Sequence, residues 1–471
     1  MSAYYRTILA GADSSNYFIF LANTESIGAN TEISLTFQGD ANTSFEVYWG
    51  DGSSNLITHT GTADTITHDY GNVGLRQIKI TGNMGHMVNP NANNSQIVEL
   101  RNYGSNVNLI ANQSNTFANA NIMTITAYNY PTFIANTNCE NYFNNCSSIT
   151  ATSTNSWPSS TTGNIINMNN MFKGCNNFIG TDIENWNTIN VTTLAGCFRD
   201  ATIFNANISS WNVSNVTKMN NMFESAGNFN YDLDQWNTTN VTDMGGMFNN
   251  TSSFNGNIST WNTSNVTTMS AMFQSAPNFN SNISAWNVTN VTNMSIMFQS
   301  ATNFNSNIGA WNVSNVTNMN SMFNNTDNFN HDLDQWDTSK VTNMDYMFGS
   351  NPVFNGNIST WNTGNVTSME RMFTSAGINQ NLGNWNIGSI NNMVGMLENS
   401  SMSTENYSKT LIGWANYVSN NSGTPANITL GADTLTYSNV TYTGSPYSDA
   451  VSARSYLTGT AGWTITDGGQ V

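Results

Sequence analysis

Two short acidic segments carry the residue types that are best able to do chemistry. Each holds two aspartates two positions apart, in Tyr231-Asp-Leu-Asp-Gln-Trp236 and in His331-Asp-Leu-Asp-Gln-Trp336. On a strand such a pair shares one face at about 6.5–7 Å, a separation suited to glycosidase carboxylates or to a calcium ion. The segments lie 100 residues apart, however, so duplication within a repeat explains them without catalysis. We therefore predict no enzyme, no catalytic residue and no required cofactor, with calcium as the one ion that the acids would suit.

An aromatic side chain beside each acidic pair suggests a binding role instead. Tyr231 and His331 stand out in a column of the repeat whose other members are mostly small. An exposed ring can stack on a sugar while neighbouring carboxylates accept hydrogen bonds from its hydroxyls. The predicted ligand-binding residues are therefore Tyr231, Asp232, Asp234, His331, Asp332 and Asp334. The alternative is that Tyr231 packs inward between Phe229 and Leu233.

Both segments belong to a repeat with a period of 25 residues. Tryptophan marks the period at Trp186, Trp211, Trp236, Trp261, Trp286, Trp311, Trp336 and Trp361, before a last step of 24 to Trp385. Each unit reads W-x4-V-x2-M-x2-MF-x5-FN-x2-[IL]-x2-W, so at least seven apolar columns keep register. A fixed period of this length is typical of solenoids. One unit cannot fold alone, because about seven apolar side chains at ~2 kcal/mol each do not offset the entropy of ordering its backbone.

The spacing of apolar residues changes within a unit, and this change places the predicted elements. Val266, Met269, Met272 and Phe273 suit one face of a short helix or 3₁₀ turn. Residues 279–284 are too few for a helix and are predicted to form a strand that pairs in parallel with its equivalents. The asparagine columns one and three positions after Phe279 barely vary between repeats. They either form hydrogen-bonded ladders or line the solvent face.

The repeat resembles one that is found in a known family. The run Phe254-Asn-Gly-Asn-Ile-Ser-Thr-Trp-Asn-Thr-Ser-Asn-Val-Thr-Thr-Met269, with Met272-Phe273, is similar to the repeat of about 26 residues in bacterial surface proteins related to BspA-like leucine-rich repeat proteins. The resemblance covers roughly Ile97 to Met402. It implies a leucine-rich-repeat-like solenoid on an exported or particle-bound surface protein. The 25-residue spacing and the asparagine-rich strand depart from that family.

Residues 1–90 have the pattern of an all-β domain with an N-terminal arm. Segments 32–37 and 45–49 alternate with period two, and a Gly-Asp-Gly turn follows. The combination of Trp49-Gly-Asp-Gly-Ser53 with His68-Asp-Tyr70 and Gly74 resembles the polycystic-kidney-disease-type, immunoglobulin-like β-sandwich. In that family the motif is structural, which implies that Trp49 belongs to the core. A catalytic role for His68 and Asp69 is therefore disfavoured.

Irregular units at both ends complete the predicted array. Phe117, Phe143, Phe172 and Phe198 extend the Phe273 column backwards, and counting to Leu397 gives twelve units. The predicted fold is mainly β with short helices: a leucine-rich-repeat-like right-handed solenoid of about twelve 25-residue units, preceded by a small β-sandwich and closed by a C-terminal α/β cap. The predicted domains are residues 1–90, 91–402 and 403–471.

The four cysteines all fall in the early units. Cys146 and Cys175 each follow a column phenylalanine by three residues, so we expect them at equivalent positions in adjacent units. A disulfide between them is geometrically conceivable, but small buried thiols are commoner. No Cys-x-x-Cys pair or histidine cluster has the spacing of a zinc site.

Composition limits the partners of the chain. Its 471 residues carry a net charge of −17, from 28 acidic and 11 basic side chains. So few cations disfavour binding to a phosphate backbone or to an anionic membrane surface. No apolar run approaches the roughly 20 residues of a membrane span, and residues 1–21 do not resemble a signal peptide. We predict no nucleic acid partner and no membrane insertion, and we favour a particle assembled inside a cell, such as a virion, over conventional export.

Three classes of function remain. A surface or virion-borne adhesion or receptor-binding protein fits best, because stacked repeats suit repeated contacts with a cell-surface glycan or protein, and with other proteins of the particle. A structural spacer or particle-decoration protein, such as a phage fibre or capsid accessory protein, is the alternative. A polysaccharide-active enzyme comes third, because it would need a cleft of acids. The expected location is an extracellular surface or a virion.

Overall fold

The structure is a computed structural model that describes residues 16–25, 31–88, 96–105, 107–120, 123–127, 129–150, 157–181, 183–422, 424–442 and 446–471. The first 25 or so residues were predicted to form an extra strand or an attachment arm; residues 1–15 of that segment lie outside these ranges, and Phe18–Asn23 forms a strand. The chain divides into two compact units. The first runs to Tyr231 and includes Gln235–Asn237, and the second comprises Asp232–Asp234 and Thr238–Val471. The predicted domain boundaries near residues 90 and 402 stay a prediction.

One mixed sheet collects the nine strands that are described in the N-terminal part. They are β1 (Phe18–Asn23), β2 (Glu32–Gln38), β3 (Ser44–Tyr48), β4 (Ser54–Thr58), β5 (Asp64–Asp69), β6 (Leu75–Val88), β7 (Ile97–Tyr103), β8 (Val107–Leu109) and β9 (Thr124–Ile125). The long strand β6 pairs antiparallel with β1, β2 and β3, and parallel with β8. Strands β4 and β5 pair with β3 and β2, and β7 pairs with β1 and β9. The sheet is open and mixed, so the predicted small β-sandwich is wrong.

The Trp49 motif connects the turns of this sheet to its core. Trp49 is fully buried directly after β3, and its indole N–H donates to Asn55 Oδ1 at 2.6 Å. The His68 ring stacks on Trp49 with 4.9 Å between centroids, and His68 Nε2 lies 2.7 Å from Asp51 Oδ2. The Tyr70 hydroxyl donates to the Trp49 carbonyl at 2.8 Å. These contacts give the motif a structural role.

The repeats contain almost no regular secondary structure. Before the regular units lie β10 (Thr137–Asn138), the four-residue helix α1 (Ser159–Thr162) and β11 (Ile165–Asn167), which pairs parallel with β10. From there to Ser403, the described residues form turns and isolated parallel bridges, without a strand or a helix. The bridges link equivalent residues of successive repeats, as from Thr268 to Asn293.

The predicted leucine-rich-repeat-like right-handed solenoid is therefore wrong. Regular structure is mainly β with few helices, and the sheets are small, open and mixed. Residues 279–284, predicted as a strand, form no strand, and residues 266–273, predicted as a short helix or 3₁₀ turn, form turns after the bridge residue Thr268. The apolar spacing that suggested a helix arises here from turns that aim the same side chains inward.

Left-handed backbone explains why no helix forms in the repeats. Ala271 has a φ of 58° and Ser275 a φ of 52°, which a right-handed helix cannot contain. Alternate N–H groups donate to the next repeat instead: those of Met269, Ala271, Phe273 and Ser275 bond the carbonyls of Asn293, Ser295, Met297 and Gln299 at 2.7–3.1 Å. The N–H groups between them, of Met272, Gln274 and Ala276, bond the carbonyl three residues earlier at 3.2 Å. Each repeat thus shares its backbone hydrogen bonds between its own turns and its neighbour.

Aromatic columns fill the interior of the repeats. Phe273 and Phe279 of one repeat stack at 3.7 Å between ring centroids, and Phe273 stacks on Phe298 of the next repeat at 5.8 Å. Trp286 and Trp311 lie almost parallel at 6.5 Å. The indole N–H of Trp286 donates to the carbonyl of Ile258 in the preceding repeat at 3.2 Å. All of these side chains are buried, so the apolar period in the sequence records a continuous core within each unit.

Two helices and a two-stranded parallel sheet follow the last repeat. They are α2 (Thr404–Asn420), β12 (Thr429–Tyr437), α3 (Ala450–Gly459) and β13 (Thr464–Gln470). Trp414 of α2 continues the tryptophan pattern, because its indole N–H donates to the Leu382 carbonyl at 3.1 Å. A bridge from Met393 to Leu430 joins β12 to the last repeat. In the described part of the chain, no helix has both the length and the apolar character needed to cross a membrane.

The left-handed positions predict opposite effects for two substitutions. Ile296 has a φ of 52° and Gly246, at the equivalent position of another repeat, a φ of 62°. A branched side chain is strained there by about 1–2 kcal/mol, whereas asparagine tolerates the conformation. Ile296→Asn should therefore raise the free energy of unfolding by about 1 kcal/mol, and Gly246→Ile should lower it by about 1–2 kcal/mol. Urea titrations followed by circular dichroism test this, and two neutral substitutions would contradict it.

Burial of His86 in β6 predicts that the N-terminal sheet loses stability in mild acid. Burial and the nearby His59 lower the pKa of His86 from 6.5 to about 4, against the opposing effect of a hydrogen bond from the His86 ring to the backbone of Gln38. The unfolded chain binds this proton near pH 6.5 and the folded chain only near pH 4, so stability falls as pH decreases through that window and then levels off. The total loss should be roughly 3 kcal/mol. Unfolding titrations from pH 7 to 4 should show this slope in the native chain, and a His86→Gln variant with the same slope would contradict the assignment.

Candidate functional site

Every repeat carries two left-handed residues four positions apart. The first column holds Asn115, Asn141, Asn170, Gly196 and Asn221 in the first unit, and Gly246, Ala271, Ile296, Ser321, Tyr346, Arg371 and Gly395 in the second. The second column holds Asn119, Asn145, Gly174, Asp200 and Ser225 in the first unit, and Asn250, Ser275, Ser300, Asn325, Ser350, Ser375 and Asn399 in the second. Asparagine and glycine adopt this backbone at low cost, but isoleucine, tyrosine and arginine do not.

A third column lies three residues after the first and changes from repeat to repeat. It holds Ala118, Asn144, Lys173, Arg199 and Glu224 in the first unit, and Asn249, Gln274, Gln299, Asn324, Gly349, Thr374 and Glu398 in the second. Neighbours along this column contact one another: Gln274 Nε2 donates to Gln299 Oε1 at 2.8 Å, and Arg199 Nη2 donates to Glu224 Oε1 at 3.1 Å. The buried aromatic columns, by contrast, keep the same residue types.

These columns enclose a groove in the second unit. It has a volume of about 620 Å³ and is lined by Gln299, Ser321, Asn324, Tyr346, Gly349, Ser350, Arg371, Thr374 and Glu398. The large side chains come from the first column and are held left-handed, with φ of 56° at Tyr346 and 49° at Arg371. Gly349 belongs to the third column, in which most other repeats carry a polar side chain. A Cβ at Gly349 would lie 2.7 Å from Asn324 Nδ2.

The groove combines an aromatic ring with a cation and carboxylates. Arg371 Nη1 donates to the Tyr346 hydroxyl at 3.0 Å, and its guanidinium carbon lies 5.8 Å from the ring centroid. The Tyr346 hydroxyl donates to Glu370 Oε1 at 3.4 Å. The hydrogen bond with Tyr346 raises the pKa of Arg371, and Glu398 and Glu370 add to this effect. Arg371 is exposed, whereas Tyr346 is half-buried, so the groove presents a charged donor beside a fixed ring.

The structure places each predicted aspartate pair around one asparagine. Asp332 Oδ1 accepts the backbone N–H of Asn357 at 2.8 Å, and Asp334 Oδ2 lies 3.4 Å from Asn357 Nδ2. The earlier pair repeats this arrangement on Asn257, with distances of 2.7 Å from Asp232 and 3.4 Å from Asp234. The four carboxylates thus bind the following repeat. Among the described residues, no group of three or more His, Cys, Asp or Glu side chains is placed to hold a metal ion, and calcium at these pairs stays a prediction.

Both predicted aromatic ligands are half-buried. His331 Nε2 lies 2.9 Å from the carbonyl of Asn305, and its ring is 5.9 Å from Phe329. The ring of Tyr231 is 6.5 Å from that of Phe229. His331 therefore contacts the preceding repeat, and the role of these residues in binding stays a prediction. The residues that line the groove were not predicted from the sequence, although the sequence shows that the residue type in the third column changes from repeat to repeat.

The asparagine columns are both exposed and bonded, so both of the alternatives considered from the sequence apply to the Asn280 column. The backbone N–H of Asn280 donates to Asn255 Oδ1 at 2.8 Å, and that of Asn305 donates to Asn280 Oδ1 at 2.8 Å. These side chains lie at the surface. The ladder therefore runs from side chain to backbone along the surface of the repeats.

The cysteines are buried free thiols. Cys146 Sγ lies 3.0 Å from the Phe117 carbonyl, and Cys175 Sγ lies 3.0 Å from the Phe143 carbonyl. Burial raises the pKa of both thiols well above the ordinary value. The disulfide considered from the sequence is therefore absent from this pair, and each thiol instead donates to the preceding repeat.

The fold and the groove define a repeat protein whose turns stack on an aromatic core and carry a variable polar surface. The chain belongs to the family described as Mycoplasma protein of unknown function, DUF285, which matches residues 137–255, 228–336 and 304–414 and so covers more than half of the sequence. No curated protein and no solved structure matches the chain. The resemblances to BspA-like repeats and to the polycystic-kidney-disease-type domain stay predictions.

The structural role of the aspartates predicts which substitutions they tolerate. Asp332→Asn keeps an acceptor for the N–H of Asn357, as in the repeats that carry asparagine there, and should change the free energy of unfolding by less than about 0.5 kcal/mol. Asp332→Ala removes that acceptor and should cost about 1 kcal/mol. Chemical denaturation measures both, with Asp327→Ala in the same repeat as a control. Equal effects of Asn and Ala at position 332 would contradict this role.

Proposed function

We propose that the protein is a non-enzymatic adhesion or receptor-binding protein of a cell surface or virion, which presents its repeats to glycan or protein ligands. The observation that carries the proposal is the contrast between two kinds of column. The buried columns repeat the same aromatic and Met residues, whereas the column of Gln299 and Gly349 changes its side chain and lines the groove. A constant core beneath a variable face is typical of repeat proteins that bind partners.

Surface chemistry supports a glycan or a protein as the partner. The chain has a net charge of −17 with only 11 basic residues. It therefore lacks the electrostatic attraction that binding to nucleic acid phosphates or anionic lipids requires. The exposed Asn280 column offers uncharged amide donors that suit hydroxyl and carbonyl groups. The proposal includes no catalytic step, and the contacts of Asp332 and Asp334 with Asn357 support a structural role for these acids.

A structural spacer or particle-decoration protein is the second candidate. It is favoured by the hydrogen bonds of the Asn280 column, which use exposed side chains to bind successive repeats together. A protein that acts only as a spacer needs these hydrogen bonds between repeats, but it does not need a groove. The two candidates therefore differ in whether the variable face binds anything.

Binding of the intact chain to candidate surfaces separates these functions. Labelled protein should bind a subset of glycans or surface proteins on microarrays, and unlabelled protein should compete. An acidic protein of similar size and net charge serves as the control for charge effects. Binding no stronger than that of the control across all surfaces would overturn adhesion and favour the spacer.

The sequence-predicted patch is tested in the same assay. Tyr231→Ala combined with His331→Ala should weaken attachment and leave the melting temperature nearly unchanged, if these rings contact the ligand. Ser281→Ala, in the same column of another repeat, is the matched control. Unaltered attachment by the double variant would remove this patch from the binding site.

A further inference from the structure

The groove around Tyr346 and Arg371 is large enough for a small ligand, and the backbone of both residues is strained. Its volume of about 620 Å³ lies within the roughly 300–1,000 Å³ that is usual for small-ligand sites. Both large side chains are held left-handed, although glycine fills the same column at Gly246 and Gly395. Strained backbone at bulky residues is concentrated at ligand clamps, where the side chain repays its cost through binding. The aromatic core does not require these two side chains, because other repeats pack equally without them.

We propose that this groove is a binding site for an uncharged saccharide. The inference rests on the proposed adhesion function and assigns its ligand class and site. The half-buried Tyr346 ring provides an apolar surface for the face of a sugar ring. Arg371 supplies exposed donors for hydroxyl and ring oxygens, and the carboxylate of Glu398, which also lines the groove, accepts from hydroxyls.

The charges of the groove favour a neutral ligand over an acidic one. Arg371 is the one cation among the lining residues, and Glu398 and the adjacent Glu370 offset its charge. An acidic sugar would be attracted by Arg371, but it would be repelled by two carboxylates and by the overall charge of −17. A neutral sugar can donate to the carboxylates and accept from the guanidinium. The amides of Gln299 and Asn324 extend this mixed set of donors and acceptors along the groove.

Glycine substitutions separate binding from folding at this site. Tyr346→Gly and Arg371→Gly remove the two ligand groups and introduce the residue that occupies the same column at Gly246 and Gly395. Ile296→Gly is the matched control, since it makes the same backbone change at a residue that does not line the groove. The probe is an array of neutral and acidic oligosaccharides, followed by calorimetric titration of the strongest neutral one with the full chain.

We expect native protein and Ile296→Gly to bind neutral oligosaccharides equally. Tyr346→Gly and Arg371→Gly should each weaken that binding at least about tenfold, with melting temperatures equal to or above the native value. Saccharide binding that both groove variants retain would overturn the site and leave the adhesion proposal intact. Binding of acidic sugars only would overturn the ligand class. Attachment to protein surfaces without any saccharide binding would overturn this inference alone, whereas attachment to nothing would overturn both proposals.

Discussion

The hydrogen bonds between alternate backbone groups of successive repeats are the interaction on which the rest of the structure depends. A turn that donates every second N–H to its neighbour, and the N–H groups between them to carbonyls three residues earlier, cannot also form a helix or a conventional strand ladder. The two left-handed positions in each repeat, such as Ala271 and Ser275, turn the backbone so that these N–H groups point at the next repeat. Because each repeat supplies carbonyls to one neighbour and N–H groups to the other, a single repeat leaves both sets of groups unpaired, and unpaired buried backbone is costly.

The aromatic core follows from this backbone arrangement. The turns place Phe273 and Phe279 together at 3.7 Å and bring Phe298 above Phe273 at 5.8 Å. From Trp211 to Trp361 the tryptophan column adds a hydrogen bond between repeats, as where the indole of Trp286 reaches the carbonyl of Ile258. Trp414 makes the same bond from helix α2. The C-terminal elements therefore extend the indole-to-carbonyl contacts of the repeats, although their secondary structure is different.

A stack that is held by backbone and buried rings leaves its turn surface free to change. Residues of the third column can be lysine, glutamate, glutamine or glycine without altering either set of contacts. The first column is less free, because its left-handed backbone penalises large side chains. Tyr346 and Arg371 occupy it despite that penalty. Their strain, the absence of a side chain at Gly349 and the carboxylate of Glu398 coincide in one groove, which is why we propose it as the binding site.

The sequence predicted the core better than the secondary structure. The 25-residue period identified the buried columns, because every repeat must place its large apolar residues at the same positions. It did not distinguish turns from a helix, since both can bring residues three and four apart to one face. The residue types asparagine and glycine did indicate left-handed backbone at Asn115, Asn141, Asn170 and Gly196. Ile296, Tyr346 and Arg371 carry no such signal, because their backbone is imposed by the stacked neighbours, so the groove was not predictable from residue types alone.

Deletion of one repeat tests the dependence on repeat-to-repeat hydrogen bonding most directly. Removing residues 262–286 would join Trp261 to Asn287 and bring Asn293 opposite Asp243 in place of Thr268, which restores both the bridges and the aromatic columns. Removing residues 262–273 would leave the neighbours out of register. For the first deletion, calorimetric melts should show a cooperative transition close to the native melting temperature. For the other deletion, the transition of the second unit should occur at a much lower temperature or be absent. Equal damage by the two deletions would contradict the account.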